Sequence, residues 1–221
     1  MPLAGKAMLL TSMDIDAADE AEFNRWYDRE HLEERVAIDG FLEARRYVAH
    51  DGKPKYLCLY STATIDVLDS PAYRAALAKP TDWSTKTMAR FKNMIRSVAR
   101  ITISRGKGRG AALGIIRLRP SAGGQDTLRS VLRNELEPGG LDGIISMHLI
   151  ESDAKLSGPT HIDVPNPGAG DWFVLIDGTD VNAISSITTR LGTLPALKST
   201  VVSSGVYRLM WDLAGSEIPD V

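Results

Sequence analysis

The sequence predicts an α+β fold built from two consecutive β-α-β-β-α-β units. Three observations carry this reading. Short apolar runs alternate with two amphipathic helical stretches before residue 105. The same order of elements returns after residue 111. A basic, glycine-rich connector, Arg105-Gly-Lys-Gly-Arg-Gly110, separates the two.

A chain of 221 residues suffices for one large domain or two small ones. Its 43% hydrophobic and 24% charged content is ordinary for a globular protein. A net charge of −2 does not suit a general nucleic-acid binder. The single cysteine, Cys58, excludes an intramolecular disulfide and a cysteine metal cluster, and its apolar neighbours read it as a small buried hydrophobe. The N-terminal stretch lacks the apolar core of a signal peptide, and no apolar run approaches the roughly 20 residues of a membrane span. A cytoplasmic location is therefore expected.

Ala7–Met13 reads as a strand. Asp19 with Glu22 resembles a capping box that opens a helix from Ala21 to Val36. Phe41–Ala49 alternates as a strand, Asp51-Gly52 signals a turn, and Lys55–Ser61 is apolar enough to be buried on both faces. The helical region Asp66 to Phe91 breaks at Lys79-Pro80, because proline has no amide proton to donate. Ser97–Ser104 closes the first half. The three alternating glycines of the connector suggest a phosphate loop, which needs a helix after it. A strand, Ala112–Leu118, follows instead, so the segment reads as a linker. Then come a helix at Gln125–Leu136, strands at Gly143–Glu151 and Trp172–Asp177, a helix at Val181–Leu191 and a strand at Gly205–Trp211.

This order is the ferredoxin-like pattern, and it places one unit at 1–105, a linker at 106–110 and a second unit at 111–221. Local echoes point to an internal duplication: Arg29-Glu-His-Leu32 with Arg133-Asn-Glu-Leu136, Gly40-Phe-Leu with Gly143-Ile-Ile, and Val98-Ala-Arg-Ile101 with Val206-Tyr-Arg-Leu209. Each unit covers one sheet face with helices and must bury the other. Two units packed sheet to sheet make a self-contained pseudo-dimer, with a homodimer left open. The insertion Ser152–Gly170, which holds Pro159, His161, Pro165 and Pro167, reads as a loop able to lie over a pocket.

Chemistry concentrates in Glu22–Tyr47. At roughly 100° per residue, Trp26, Tyr27, Glu30 and Glu34 share the face of Phe23, His31 lies beside Tyr27, and Leu32 and Val36 fall opposite. His31 is either a boundary residue with a local hydrogen bond or a proton-transfer group. In the second case Glu30 or Glu34 orients the ring and Tyr27 shares the pocket. Arg45 and Arg46 point to opposite strand faces. Arg46 is grouped with Leu42, Ala44 and Val48, and Arg45 with Phe41, Glu43 and Tyr47. Either arginine suits a substrate oxyanion or a salt bridge. Trp83 is a packing residue or a pocket wall. His50, His148 and His161 have no metal-site spacing, and no Gly-x-Ser-x-Gly motif is present.

The residues Trp26-Tyr27-x-x-Glu30-His31-Leu32, Gly40-Phe41-x-x-x-Arg45-Arg46-Tyr47 and Ser70-Pro71-Ala72-Tyr73 resemble the EthD-like branch of the dimeric α/β-barrel superfamily. The resemblance covers residues 7–104. Over 111–213 it rests on element order. It implies a fused barrel with its site in the first unit, since Glu135 stands near the place of His31 in the second. That superfamily includes isomerases, lyases, dehydratases, cofactor-free monooxygenases and haem enzymes. The resemblance thus implies a cofactor-independent lyase, dehydratase or isomerase acting on a small cyclic or aromatic metabolite. His31, Tyr27 and Glu30 would be catalytic, Trp26, Arg46 and Trp83 would bind substrate, and no metal would be needed. The alternatives are a cofactor-free monooxygenase and a non-catalytic small-molecule binder.

Overall fold

The computed structural model describes residues 3–158, 166 and 168–218. Eight strands form one closed barrel: β1 (Ala7–Asp14), β2 (Phe41–Asp51), β3 (Tyr56–Thr62), β4 (Lys92–Gly106), β5 (Ala112–Leu118), β6 (Ile144–Ser152), β7 (Trp172–Gly178) and β8 (Val201–Ala214). Around the barrel the order is β1-β3-β2-β8-β5-β7-β6-β4, and every pairing is antiparallel. Each half supplies four neighbouring strands. The halves meet along β2–β8 and β4–β6.

Strand alternation sorts the core into three layers. Met8, Leu10, Tyr47, Leu57, Leu59, Leu113, Phe173, Leu175 and Tyr207 fill the barrel. On the outside of the first half, Leu9, Met13, Tyr56, Cys58, Tyr60 and Val98 pack under helices. On the outside of the second half, Ile116, Met147, Val174 and Ile176 pack under α5 (Gln125–Glu135) and α6 (Val181–Gly192). β3 is buried along its whole length because odd and even residues enter different layers. β4 and β8 run beyond the apolar stretches read from the sequence. β4 pairs with β1 over Lys92–Arg100 and with β6 over Ala99–Gly106, so each end serves a different neighbour.

The first helix departs from the sequence reading. α1 (Glu20–Trp26) passes through a π-helical turn (Tyr27–His31) into α2 (Leu32–Val36), where the Leu32 amide donates to the Tyr27 carbonyl. A π turn takes in one more residue than an α turn. It therefore rotates the phase, and Leu32 (0% exposed) and Val36 (3%) join Phe23 and Trp26 in the core instead of lying opposite. Asp19 precedes α1 but makes no side-chain cap, and pairs with Arg90 at 3.1 Å. A bulge between Phe41 and Glu43 leaves Leu42 outside and moves Phe41 to the face of Ala44 and Arg46, away from Arg45.

The second helical region splits as expected into α3 (Pro71–Ala78) and α4 (Asp82–Met88), after a short 3-10 turn (Ile65–Asp69). Residues 107–111 join the halves, and Arg109 within them pairs with Glu43 and, at 2.9 Å, with Asp212. Among the described residues, no helix is long and apolar enough to cross a membrane.

Candidate functional site

A cavity of about 80 Å³ lies between the first-half helices and the outer face of β1, β3 and β4. Leu9, Thr11 and Met13 line it as alternate residues of β1, opposite Tyr60 of β3 and Met94 and Arg96 of β4. Tyr73, Ala76 and Leu77 of α3 close one side with Pro80, Met88 and Phe91. Ser70 fixes the start of α3 by accepting from the Tyr73 amide at 3.2 Å, with Pro71 at the first helical position. The first helix contributes Tyr27, His31 and Arg35, each four residues on from the last.

His31 is 12% exposed. Its ring stacks on the Trp26 indole, with centroids 4.1 Å apart and planes 24° apart. That five-residue stacking interval is what a π turn aligns. The ring stands edge-on to Tyr27 at 5.2 Å and to Tyr60 at 6.5 Å. Nδ1 lies 3.8 Å from Glu34 Oε2, beyond hydrogen-bond reach, and has no partner. Burial pushes the imidazole down to about 4; Glu34 works against this shift, while the Arg35 charge adds to it. His31 is thus neutral at pH 7. Burial also raises Tyr27 and Tyr60, which stay protonated phenols. The Tyr27 hydroxyl donates weakly to Met13 Sδ at 3.9 Å. Thr11 Oγ1, Tyr60 Oη and Arg35 Nη1 are buried without hydrogen-bond partners. Such groups are costly unless something else satisfies them. The cavity is therefore apolar in its walls, holds a neutral imidazole, and has unpaired polar atoms around it.

Of the six residues expected to form the site, Tyr27 and His31 line this cavity. The other four lie elsewhere. Glu30 Oε1 accepts from Trp26 Nε1 at 3.1 Å, Ser84 Oγ at 3.1 Å and Thr81 Oγ1 at 2.7 Å, so it ties the start of α4 to the first helix. Trp26 is a fully buried support beneath His31. Arg46 is buried behind Tyr27, with its guanidinium 4.2 Å from that ring and bonded to Asp28 at 3.0 Å and Asn24 at 2.5 Å. Trp83 packs half-buried at the helix surface, where Arg25 lies over its ring at 5.4 Å.

Sequence reasoning missed Thr11, Arg35, Tyr60, Tyr73 and Arg96. Arg35 had a usable signal, the four-residue interval from His31. Tyr60 had the alternation of Tyr56, Cys58 and Tyr60. Cys58 itself is buried, with its thiol pushed up to about 12 by desolvation. His148 lies in the barrel, not in the cavity. It hydrogen-bonds Ser104 and Ser146 at 3.0 Å each, and burial pushes it down to about 3. Nearby, Arg45 meets Asp177 at 3.3 Å across the barrel interior. His50 is exposed, and His161 lies outside the described residues. Among the described residues no group of three or more ligand-type side chains could hold a metal.

The second half reaches into the site through the insertion. Arg96 donates to the Leu156 carbonyl at 2.8 Å, and its other terminal nitrogen reaches Tyr73 Oη at 3.5 Å. Asn166 ties Arg96 O to Ser157 O at 2.7 Å each. The rest of that loop, with Pro159, Pro165 and Pro167, lies outside the described residues. In the second half, the space between sheet and helices is filled by Leu128, Leu132, Leu136, Ile184, Ile187 and Leu191, and Glu135 sits half-buried at the end of α5.

No protein-family model matches the chain, and the comparison with curated proteins returns no match. Solved structures do match along nearly its full length. An anthrone oxidase-like protein is 8% identical, with a TM-score of 0.65, covering 96% of this chain and 94% of its own. A candidate monooxygenase from Lactobacillus acidophilus is 12% identical, with a TM-score of 0.57 and coverage of 96% and 97%. A haem-binding protein from Thermus thermophilus is 14% identical, with a TM-score of 0.50 and coverage of 94% and 92%. At such identities the likeness concerns the fold alone: this chain has the dimeric α/β-barrel fold, closed within a single polypeptide.

Proposed function

We propose that the protein is a cofactor-independent oxygenase, in which His31 removes a proton from a small phenolic or enolisable substrate. The neutral, buried imidazole in an apolar cavity carries this reading. An imidazole held near 4 is unprotonated across the neutral range and free to accept a proton, as a weaker base than an ordinary histidine. After the base step the same ring carries the proton a leaving hydroxyl would need, so it is the fold shared with a monooxygenase-like barrel that favours an oxygenase over a lyase or dehydratase. The base step yields an electron-rich carbanion or phenolate that reacts with dioxygen. For an activated methylene, the carbanion joins O2 and takes back the proton to give a hydroperoxide. Loss of water then leaves the ketone, so one O2 is consumed and one water released. Isomerisation would share the base step and consume no oxygen.

Tyr27 and Tyr60, as protonated phenols, can donate to the developing oxyanion. The cavity is small beside the roughly 150 Å³ that encloses a benzene ring. The reacting edge of the substrate would be buried and the remainder would leave past Met94, which is 48% exposed. A haem does not suit these residues. Drug-sized ligands already need roughly 300–1,000 Å³, and the matching space in the second half is packed with leucine and isoleucine. The wider recess beside Arg100, Glu151 and Trp172 is open to solvent, with no histidine, cysteine, methionine or tyrosine among its described lining residues.

The fold reading extends to an EthD-like, internally duplicated chain of two ferredoxin-like repeats, 1–105 and 111–221, joined by 106–110. Matched turns support it. Gly40 and Gly143 both have positive φ, 86° and 75°, just before β2 and β6. The Gly40 carbonyl accepts from the Ala63 amide at 2.8 Å, and the Gly143 carbonyl from the Thr179 amide at 2.9 Å. A side chain at Gly40 would strike Val67 before α3, and one at Gly143 would strike Ala183 in α6. Each repeat would then keep its glycine for the same close approach.

The test is oxygen uptake with a panel of electron-rich phenols and enolisable ketones. His31→Gln should lower turnover about 100-fold or more while folding normally. A folded H31Q protein with wild-type oxygen uptake overturns the base role of His31, and wild-type conversion without oxygen uptake overturns the oxygenase.

A further inference from the structure

The cations of the cavity are unbalanced. Among the described residues Arg35 and Arg96 line it, and no aspartate or glutamate does. Arg96 is engaged with the Leu156 carbonyl and Tyr73. Arg35 is different. It is 6% exposed, its Nη1 has no hydrogen-bond partner, and no carboxylate pairs with it among the described residues. The Glu34 carboxylate is lowered by His31 and, to a lesser degree, by the Arg35 charge, but no carboxylate bonds the buried Nη1 among the described residues. A buried guanidinium nitrogen with no bonded counter-charge is unfavourable, and removing such a charge tends to stabilise a protein. Arg35 also stands one helical turn beyond His31, close enough for its charge to act on both His31 and Tyr60.

We propose that the cavity takes an anionic ligand whose planar oxyanion, a carboxylate or an enolate, docks on Arg35. The fork of the guanidinium matches two oxygens of a carboxylate, and Tyr60, which lines the same cavity, has a hydroxyl without a partner to offer as a further donor. Arg35 then positions the substrate with its acidic proton toward His31 and stabilises the anion formed when that proton leaves. Neutral analogues leave the buried cation uncompensated and are rejected. Arg35 is thus a specificity residue, and the substrate class is a small enolisable or phenolic acid. This deepens the base role proposed for His31 but is separable from it, because ligand preference is read without turnover.

The probes are salicylate, benzoate and acetoacetate, each against its neutral amide, by calorimetry and thermal shift on the intact chain. Wild type should bind the acids at least tenfold more tightly than the amides. Arg35→Met should lose that preference and, without ligand, melt at or above the wild-type temperature. Arg35→Lys should recover part of the preference, and Arg35→Gln serves where the methionine variant does not fold. Equal affinity for acid and amide, a preference unchanged in R35M or R35Q, or no acid in the panel that raises the melting temperature overturns the proposal. His31→Gln separates the two roles. An H31Q protein that keeps the acid preference and normal turnover removes the base and leaves the anion site. Wild type with no acid preference but His31-dependent turnover removes the anion site and leaves the base.

Discussion

A histidine that folding holds neutral makes the native state sensitive to acid. His31 lies near 4 in the folded protein, against 6.5 for an unperturbed imidazole. Between those values the unfolded chain binds the extra proton, so stability falls as pH drops from about 6.5 to about 4 and levels off below. At about 1.4 kcal/mol per unit, His31 accounts for a loss of about 3 kcal/mol at most. His148 has the same sign, with its window reaching down to about 3. Urea midpoints from pH 7 to pH 4 should fall steeply for wild type and less steeply for H31Q. Equal slopes would assign the acid sensitivity to other groups. At this scale the sequence was legible where side-chain type and neighbours agree. Tyr27 and His31 stand out as polar-tipped rings on an apolar helix face. Arg46 and Trp83 fit an aromatic pocket just as well by type. Their exclusion depends on Asp28 and Asn24 meeting Arg46, and on Arg25 lying over Trp83. Those contacts follow from packing, not from spacing.

Among the elements, the π turn decides what the first helix can do. It brings His31 over Trp26, while Leu32 and Val36 still reach the core. A constant helical period cannot express this. The projection therefore put Leu32 on the wrong side, although it placed Tyr27 beside His31. Glu30 illustrates the same limit. By type it is a candidate acid or base, yet three donors from two helices hold its carboxylate. Glu30→Ala should lower stability by about 1–3 kcal/mol, because buried donors lose their acceptor. With α4 loosened, KM should rise more than kcat falls. A kcat loss as deep as that of H31Q, with KM unchanged, would instead make Glu30 part of the chemistry.

For the whole molecule, the element order in the sequence led to the barrel, since each four-stranded half has an apolar face to bury. The ladder lengths of β4 and β8 and the bulge in β2 were not legible, because they arise where one half meets the other. The same meeting buries the Arg45–Asp177 pair inside the barrel. Asp177 is raised by desolvation, with Arg45 opposing. Asp177→Ala should cost about 3–5 kcal/mol by leaving the buried Arg45 only Glu43, 3.6 Å away, as counter-charge, whereas replacing both Arg45 and Asp177 with apolar side chains should restore most of that. Denaturation of the two single variants and the double variant checks this, and additive losses would show the pair to be uncoupled.

Residues 107–111 between β4 and β5 have a further consequence for assembly. The seams β2–β8 and β4–β6 would form equally well if the first half of one chain met the second half of another. Nothing in their register tells the two arrangements apart. The tether does. A connection this short presents each half to its own mate at an effective concentration on the order of millimolar. Self-closure should therefore win at ordinary protein concentrations. Exchange between chains would become competitive only in a crowded solution or with the tether cut.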